Sequence, residues 1–400
     1  MPWKECSPMD LRREFVQLAR AEGANIAALC RRFGISRRVG YKWIGRFQTG
    51  GPEALADQSR RPKRSPEIMD GKLEEQVVAM RQEHRSWGGR KIARRMRVLG
   101  GTDVPSPSAI TRALHRHHLI DPESSYARRQ IQRFEHPAPN DLWQMDFKGH
   151  FAMTGGGRCH PLTVLDDHSR YSITLAACDN ERTETVRGHL IKAFECYGLP
   201  RKILSDNGPP WGTSGHCIED QWTPLTAWML RLGIRVVHGA PYHPQTQGKE
   251  ERFHRTLKGD LLKWQAIADL ADAQRQFDRY QQTYNHVRPH EALAMACPGQ
   301  RYTISPRAYP SVLPAVEYKA GELTRKVTPS GGFTLHSKYY QTGRAFARYH
   351  VALRPTQRDG LHEVFFCHQR IGWIDEQTGE SIGPRAGQSL AALAIDASAE

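Results

Sequence analysis

No stretch of the 400 residues approaches the roughly 18 uninterrupted apolar positions of a membrane helix, so a bilayer-spanning helix is not expected. Paired cysteines are missing too: Cys6, Cys30, Cys159, Cys178, Cys196, Cys217, Cys297 and Cys367 are all far apart in sequence. That spacing signals neither a zinc knuckle nor a disulfide framework, and the thiols read as small buried hydrophobes. His115, His117 and His118 in ALHRHHLI have no cysteine pair to complete a metal site and read as a solvated helix face. The opening MPWKECSPMD carries charge where an export signal would place its apolar segment, which points to a cytoplasmic address. Acidic residues are scarce as well, 42 against 57 Lys and Arg, for a net charge of +15.

What is present is a globular composition, 39% hydrophobic, in a chain long enough for roughly two to four separately cored domains. The basic surplus is uneven. Residues 1–135 hold 27 Lys and Arg against 15 Asp and Glu, so the front third carries 12 of the net 15 charges. A polyanion attracted through phosphate neutralisation and counterion release is the natural partner of such a front. Charge alone leaves acidic membranes and plain solubility open as alternatives.

From Leu11 to Phe47 the pattern is helix, helix, short turn, helix, which is a helix-turn-helix outline. Gly34 suits the positive φ of the turn and Ser36 suits the N-cap. Val39, Trp43 and Phe47 recur at helical spacing as an expected buried stripe. Arg37, Arg38, Tyr41 and Lys42 then fall on the face that a recognition helix presents to bases and phosphates. The alternative is a small bundle with a solvated basic side. GGPEALADQSRRPKRSPE breaks the helical period and is expected to be a linker without its own fold. A second three-helix pattern follows, with Ser106 and Pro107 opening its last helix. Its Arg90, Lys91, Arg94, Arg95 and Arg97 read equally as DNA contacts or as a solvated charged face.

Between Asn140 and Pro298 short apolar runs alternate with helical patterns in the order β-β-β-α-β-α-β-α, which implies a mixed sheet with helices on its faces. Asp146 in LWQMDFKG and Asp206 in ILSDNGPP end strand-like runs, and Glu251 in HPQTQGKEERFHRTLK opens a helix. At about 100° per residue, Phe253, Leu257, Leu261 and Trp264 cluster as a core stripe, with Glu250 in the same sector. Glu251, Arg255 and Lys258 lie opposite, a carboxylate followed by two cations, which suits a metal ligand next to a bound phosphate chain. Three carboxylates crowded together repel by on the order of 4 kcal/mol per pair at an effective dielectric near 20, a penalty that divalent cations remove. Two Mg²⁺ or Mn²⁺ ions held by Asp146, Asp206 and Glu251 fit that arrangement, one activating a nucleophile and one steadying a leaving oxygen. Asp166 and Asp167, in the turn LDDHSR, read as turn-capping residues. Lys249 and Arg252 flank the acids as candidate phosphate contacts, with plain solvation the equal alternative, and His243 as a DNA contact, proton relay or loop-ordering group.

WQMDF, LDDHSRY at 165–171, LSDNG, HPQTQGKEERFHRTLK and YNHVRPHEAL followed by Pro298 together make the chain resemble the DDE transposases of bacterial insertion sequences. The resemblance implies a ribonuclease-H-like core of the retroviral-integrase type, with Asp146, Asp206 and Glu251 as catalytic and metal-binding residues. It also implies front helix-turn-helix units that bind terminal inverted repeats, target DNA as second substrate, and a dimer or tetramer on DNA in the bacterial nucleoid. Water would first free a 3′-OH at the element end, and that hydroxyl would then attack a target phosphodiester. A silent DNA-binding regulator and a simple nuclease are the rival readings. Gln247 stands where the family commonly has Asn, Glu250 where it has an apolar residue, and the Asp206 to Glu251 interval is long.

The expected organisation is multidomain: a helix-turn-helix domain at 1–55, a basic linker at 56–66, a second such unit at 67–122 and a linker at 123–138. The α/β core follows at 139–298, then a small β-barrel at 299–376 and a disordered tail at 377–400.

Overall fold

The computed structural model describes residues 7–58, 69–120, 135–206, 208–212, 222–238 and 248–383. Most of the linker at 56–66, most of that at 123–138, His243, Gln247 and the tail beyond 383 lie outside the described residues. So do Cys6 and Cys217. The chain divides into two units, Met1–Ile68 and Met69–Glu400, each with its own core.

In the first unit, α1 (Pro8–Ala19), α2 (Ile26–Arg32) and α3 (Arg37–Gly50) pack around Phe15, Cys30 and Trp43. Gly34 has φ of +64° and the Ser36 hydroxyl accepts from the Val39 N–H at 3.3 Å, as the pattern requires. The inward row differs by one residue from the expected stripe. Gly40 faces Cys30 and Phe15 so closely that an added Cβ would stand 2.6 Å from Cys30 Sγ, whereas Val39 is 36% exposed. A bare backbone lets the helices approach, so Gly40, Trp43 and Phe47 form the contact and Val39 rolls outward. The stretch after Gly51 is not structureless either: Pro52–Leu55 forms a 3₁₀ turn that buries Leu55, and Arg12 binds the Leu55 carbonyl at 2.9 Å.

The second unit opens with α4 (Gly71–Glu83), α5 (Gly89–Val98) and α6 (Pro107–Arg116) around Val77, Trp87, Ile92 and Ile110. Ser106 caps α6 by accepting from the Ala109 N–H. The α/β layer then runs β1 (Trp143–Phe147), β2 (Phe151–Ala152), β3 (Arg158–Asp166), β4 (Ser172–Cys178), α7 (Thr183–Tyr197), β5 (Lys202–Ser205), α8 (Pro224–Arg231), β6 (Arg235–His238) and α9 (Gly248–Leu257). Its sheet is mixed. β4, β3 and β1 pair antiparallel, β1, β5 and β6 pair parallel, and the short β2 pairs the start of β3. α7 and α8 cover one face through Val186, Phe194 and Leu225, while α9 and α10 (Leu270–Gln282) cover the other through Phe253, Leu257 and Phe277. The expected core stripe fails at its end: a π-helical turn at Lys258–Leu262 follows α9, so Leu261 is only partly buried and Trp264 is 45% exposed. The wider turn shifts the register away from a 3.6-residue period.

The last strands are β7 (Leu323–Lys326), β8 (Gly332–Leu335), β9 (Lys338–Gln341), β10 (His350–Pro355), β11 (Leu361–Phe366), β12 (Gln369–Asp375) and β13 (Glu380–Ile382). They correct the expected barrel. Among the described residues they make an open five-stranded sheet, β13-β12-β11-β10-β7, beside a β8-β9 hairpin, and no ladder joins β7 to β13. The tail expectation is corrected as well, since β13 pairs with β12 through Trp373 and Ile382. Nor is this sheet a separate body. Phe346, Val351 and Phe366 share one apolar cluster with Trp211, Trp222 and Trp228 of the α/β layer, and the Trp222 indole N–H donates to the Ile371 carbonyl at 3.0 Å. Burial of the thiols is mixed: Cys30, Cys159 and Cys178 are buried, but Cys196 is exposed.

Trp222→Ala should therefore cost about 3–5 kcal/mol in urea denaturation, since it empties a joint between two sheets. A loss below about 1 kcal/mol would make the C-terminal sheet an independent domain.

Candidate active site

β1 and β5 are neighbouring parallel strands whose last ladder pair is Gln144 with Leu204. Two steps further along both strands stand Asp146 and Asp206, so the sheet itself brings the two carboxylates abreast at the strands' C-terminal ends. This is the usual position of ligand sites in open α/β sheets. Asp146 is a strand residue fixed on its other side by Thr163 of β3, whose hydroxyl lies 3.0 Å from the Asp146 carbonyl. Asp206 is the first residue past β5, and its carboxylate accepts from the Gly208 N–H at 3.2 Å.

Burial, and next the Asp206 charge, push Asp146 up to about 7. Burial also raises Asp206, against the pull of the Gly208 N–H. Glu251, exposed on the first turn of α9, adds its field to that of the pair at Asp146. The described residues hold no group of three or more His, Cys, Asp or Glu close enough to clasp an ion. Two desolvated carboxylates with a third acid nearby still form a hard oxygen donor set whose repulsion a divalent cation would relieve, so the residues suit such an ion.

Two groups near the pair carried no signal that the sequence reading used. Glu181, in the loop between β4 and α7, raises both aspartates and is itself bound to His160 Nδ1 at 2.8 Å. His254 lies one turn after Glu250 on α9, with Nδ1 3.9 Å from Asp146 Oδ2 and Nε2 2.8 Å from Thr163 Oγ1. The i, i+3 spacing from Glu251 was the available clue, for it sets His254 beside that acid on the helix.

Glu250 is fully buried, 3.0 Å from the same Thr163 hydroxyl. Burial, and then the Asp146 charge, hold its pKa well above the carboxylate range, while burial and Lys148 lower His254 to about 4. His254 is therefore neutral at pH 7, and burial favours the protonated form of Glu250. The Thr163 hydroxyl joins all three neighbours, 3.0 Å from the Asp146 carbonyl, 3.0 Å from Glu250 Oε2 and 2.8 Å from His254 Nε2. Glu250 thus anchors α9 inward while Glu251 faces outward.

Asp166 and Asp167 are structural. Asp166 accepts from Asn140 N, Ser169 N and Ser169 Oγ, and Asp167 from His136 N and Gln144 Nε2. Asp167 also pairs with Lys249. That corrects Lys249 as a phosphate contact: its side chain is only 12% exposed and its ammonium is committed to Asp167. Arg252, Arg255 and Lys258 are exposed on or just after α9, and in the first unit Arg37, Arg38, Tyr41 and Lys42 are exposed on α3. Glu74 binds Arg116 and His117, so His117 serves an ion pair.

An ionised Asp146 opposes folding of the metal-free chain. The penalty is absent below about pH 4, where both states are protonated, and grows as pH rises through 7, to at most about 4 kcal/mol. In chelator, Asp146→Asn should match the wild-type melting temperature at pH 4 and exceed it at pH 8. The same difference at both pH values would contradict this account.

Residues 136–244 and 232–298 match two models of the integrase core domain. Residues 11–63 match a helix-turn-helix domain, 39–114 a homeodomain-like domain, and 322–381 the IS481 family transposase C-terminal domain. An uncharacterized 39.2 kDa protein of insertion element IS476 from Xanthomonas euvesicatoria is 26% identical over 57% of this chain and 64% of its own length. One of 31.7 kDa from element IS407 of Burkholderia multivorans is 28% identical over 41% of the chain and 55% of its length. The Gag-Pro-Pol polyprotein of squirrel monkey retrovirus is 37% identical over 31% of the chain and 6% of its own. The chain therefore spans less than two thirds of each of these relatives. Among solved structures, the magnesium-bound HTLV-2 integrase catalytic core is similar over 41% of this chain and 97% of its own, at 17% identity and a TM-score of 0.32. A simian T-cell lymphotropic virus intasome chain is similar over 74% and 98%, at 18% identity and a TM-score of 0.36. No helix among the described residues is long and apolar enough to cross a membrane. From front to back the chain matches helix-turn-helix, integrase core and insertion-sequence transposase C-terminal families, and it resembles a DDE transposase with a retroviral-integrase-like core.

Proposed function

We propose that the protein is a DNA transposase that binds the terminal inverted repeats of an insertion sequence and catalyses strand cleavage and strand transfer. The observation that carries this reading is the buried pair Asp146 and Asp206, set abreast by adjacent strands next to the helix that presents Glu251. The family matches at both ends of the chain support it.

Asp146, Asp206 and Glu251 are the residues that would hold Mg²⁺ or Mn²⁺, two ions per site. Bound there, the ions would polarise the scissile phosphate and offset charge on the entering and leaving oxygens. The chain's own contributions are distinct. Thr163, itself joined to Glu250 and His254, holds the backbone of Asp146 in place, and Arg252, Arg255 and Lys258 offer cations to the DNA strand beside Glu251. On α3, Arg37, Arg38, Tyr41 and Lys42 would enter the major groove of a terminal repeat. In cleavage a water oxygen replaces the 3′ oxygen on phosphorus and frees a 3′-OH. In transfer that hydroxyl displaces a target 3′ oxygen, so one phosphodiester is made for each one broken and no covalent protein intermediate is needed.

Incubation with Mg²⁺ and end-labelled duplex taken from the DNA flanking the coding sequence should yield nicked and joined strands. Asp206→Asn should bind the duplex equally while its turnover falls by about a thousandfold or more. Equal cleavage by that variant would remove Asp206 from the chemistry, and cleavage without joining by the wild type would make the protein a nuclease. Because two ends must be joined together, mass measurement of the protein–DNA complex should give a dimer or tetramer; a strict monomer would contradict the pairing of ends.

A further inference from the structure

Lys91 is out of place for a surface cation. It lies on α5 of the second helical unit and is only 9% exposed. The unit packs against the chain beyond α9. Arg85 sits 4.5 Å over the Trp264 ring, Val287 joins the helical core, and Arg90 Nη1 lies 3.9 Å from Glu291 Oε2. Lys91 is held within that junction, yet its ammonium has no hydrogen-bond or ion-pair partner among the described residues.

The charges that act on it are Arg288, Asp260, Glu291 and Arg252. Asp260 Oδ2 binds Arg288 Nε at 3.3 Å while its Oδ1 is buried without a hydrogen-bond partner among the described residues, and Glu291 faces Arg90. Four cations, Arg90, Lys91, Arg252 and Arg288, thus share two carboxylates. Burial and the Arg288 charge pull Lys91 down to about 7. A methionine would fill this space without that penalty, so packing alone does not account for a lysine here. The four cations of the junction outnumber its two carboxylates by two. Arg252 follows Glu251 directly on α9, which puts the junction next to the candidate catalytic acid.

We propose that this junction of α5 with the chain beyond α9 seats a backbone phosphate of double-stranded DNA, with Lys91, Arg252 and Arg288 as its donors. The proposal rests on the reading of the chain as a DNA-acting protein. A seat here links the helical unit that grips DNA to the helix bearing Glu251, so a strand crossing it would be fixed on both sides of the reacting phosphate.

The test is equilibrium binding of the full chain to a duplex of random sequence across a salt series, with chelator present, so that loss of catalysis and loss of this seat are separate results. Neutralising one phosphate adds about 0.9 to the slope of log affinity against log salt. Lys91→Met should lower that slope by about 0.9 and weaken binding several-fold at roughly 0.1 M salt. Its melting temperature should equal or exceed that of the wild type. Lys91→Gln should lose the same slope and Lys91→Arg should retain it. An unchanged slope in the Met and Gln variants would overturn the proposal, as would a fall in melting temperature with the slope intact, the signature of a structural ion pair. Lysine-dependent stabilisation by inorganic phosphate with no change in the DNA slope would assign the seat to free phosphate and overturn the DNA assignment.

Discussion

Two carboxylates side by side, largely out of water, are the constraint around which the α/β layer is arranged. Nothing in their own chemistry favours this placement: the Asp206 charge raises the proton affinity of Asp146, and burial raises both. The scaffold imposes it through β1 and β5, parallel neighbours buried on both faces by helices. Trp143, Met145 and Ile203 are wholly buried, so neither strand can slide to relieve the repulsion without exposing a large apolar area. The tension is stored at the one place where a divalent ion would release it.

α9 shows how burial divides labour between identical side chains. Glu250 and Glu251 are adjacent, yet one is a buried hydrogen-bonding group inside the protein and the other an exposed acid whose charge acts on Asp146. About 100° of helical rotation makes the difference. Thr163 sits between the two functions, tied to the Asp146 backbone on one side and to Glu250 and His254 on the other. The position of the acidic helix and that of the first aspartate are therefore not independent: a shift in one breaks hydrogen bonds to the other.

The α/β order and the placement of the three acids at two strand ends and on a helix were legible because strand ends and helical phase are local properties. Asp146 and Asp206 close apolar runs, and Phe253 and Leu257 fix the phase that turns Glu251 outward. What stayed hidden depends on distant partners. Glu181 comes from a loop and reaches the site only through the fold. Lys249 carried the same local signal as Arg252, and only the arrival of Asp167 from the β3–β4 turn separates them. The π-helical turn after α9 and the one-residue phase error at Val39 have a common origin. Periodicity assumes an undistorted 3.6-residue helix and takes the largest apolar residue as the inward one, whereas Lys258–Leu262 widens and the close contact at α3 belongs to a glycine. The barrel expectation failed because strand count does not determine closure: β7 and β13 are short edges with no ladder between them.

The long interval between Asp206 and Glu251 also gains a physical reading. Part of it supplies Trp222 and α8, whose Trp228 and Arg231 pack against or bind the C-terminal region; Arg231 reaches the Tyr349 hydroxyl at 3.1 Å. The C-terminal sheet is consequently rooted in the same layer that carries Asp206. A sheet sharing a core with the layer that carries these acids cannot swing on a tether, so any DNA that it contacted would be held in a fixed frame relative to them. Net charge does not reveal such a frame. Counting lysines and arginines along the sequence identifies a basic front, but only the distribution of acids in space separates cations that hold the protein together, such as Lys249, from those whose charge is left over. Leftover charge next to a conformationally fixed acid is what recognition of a polyanion at a single phosphate requires, because affinity spread over a flexible surface would position no bond for attack.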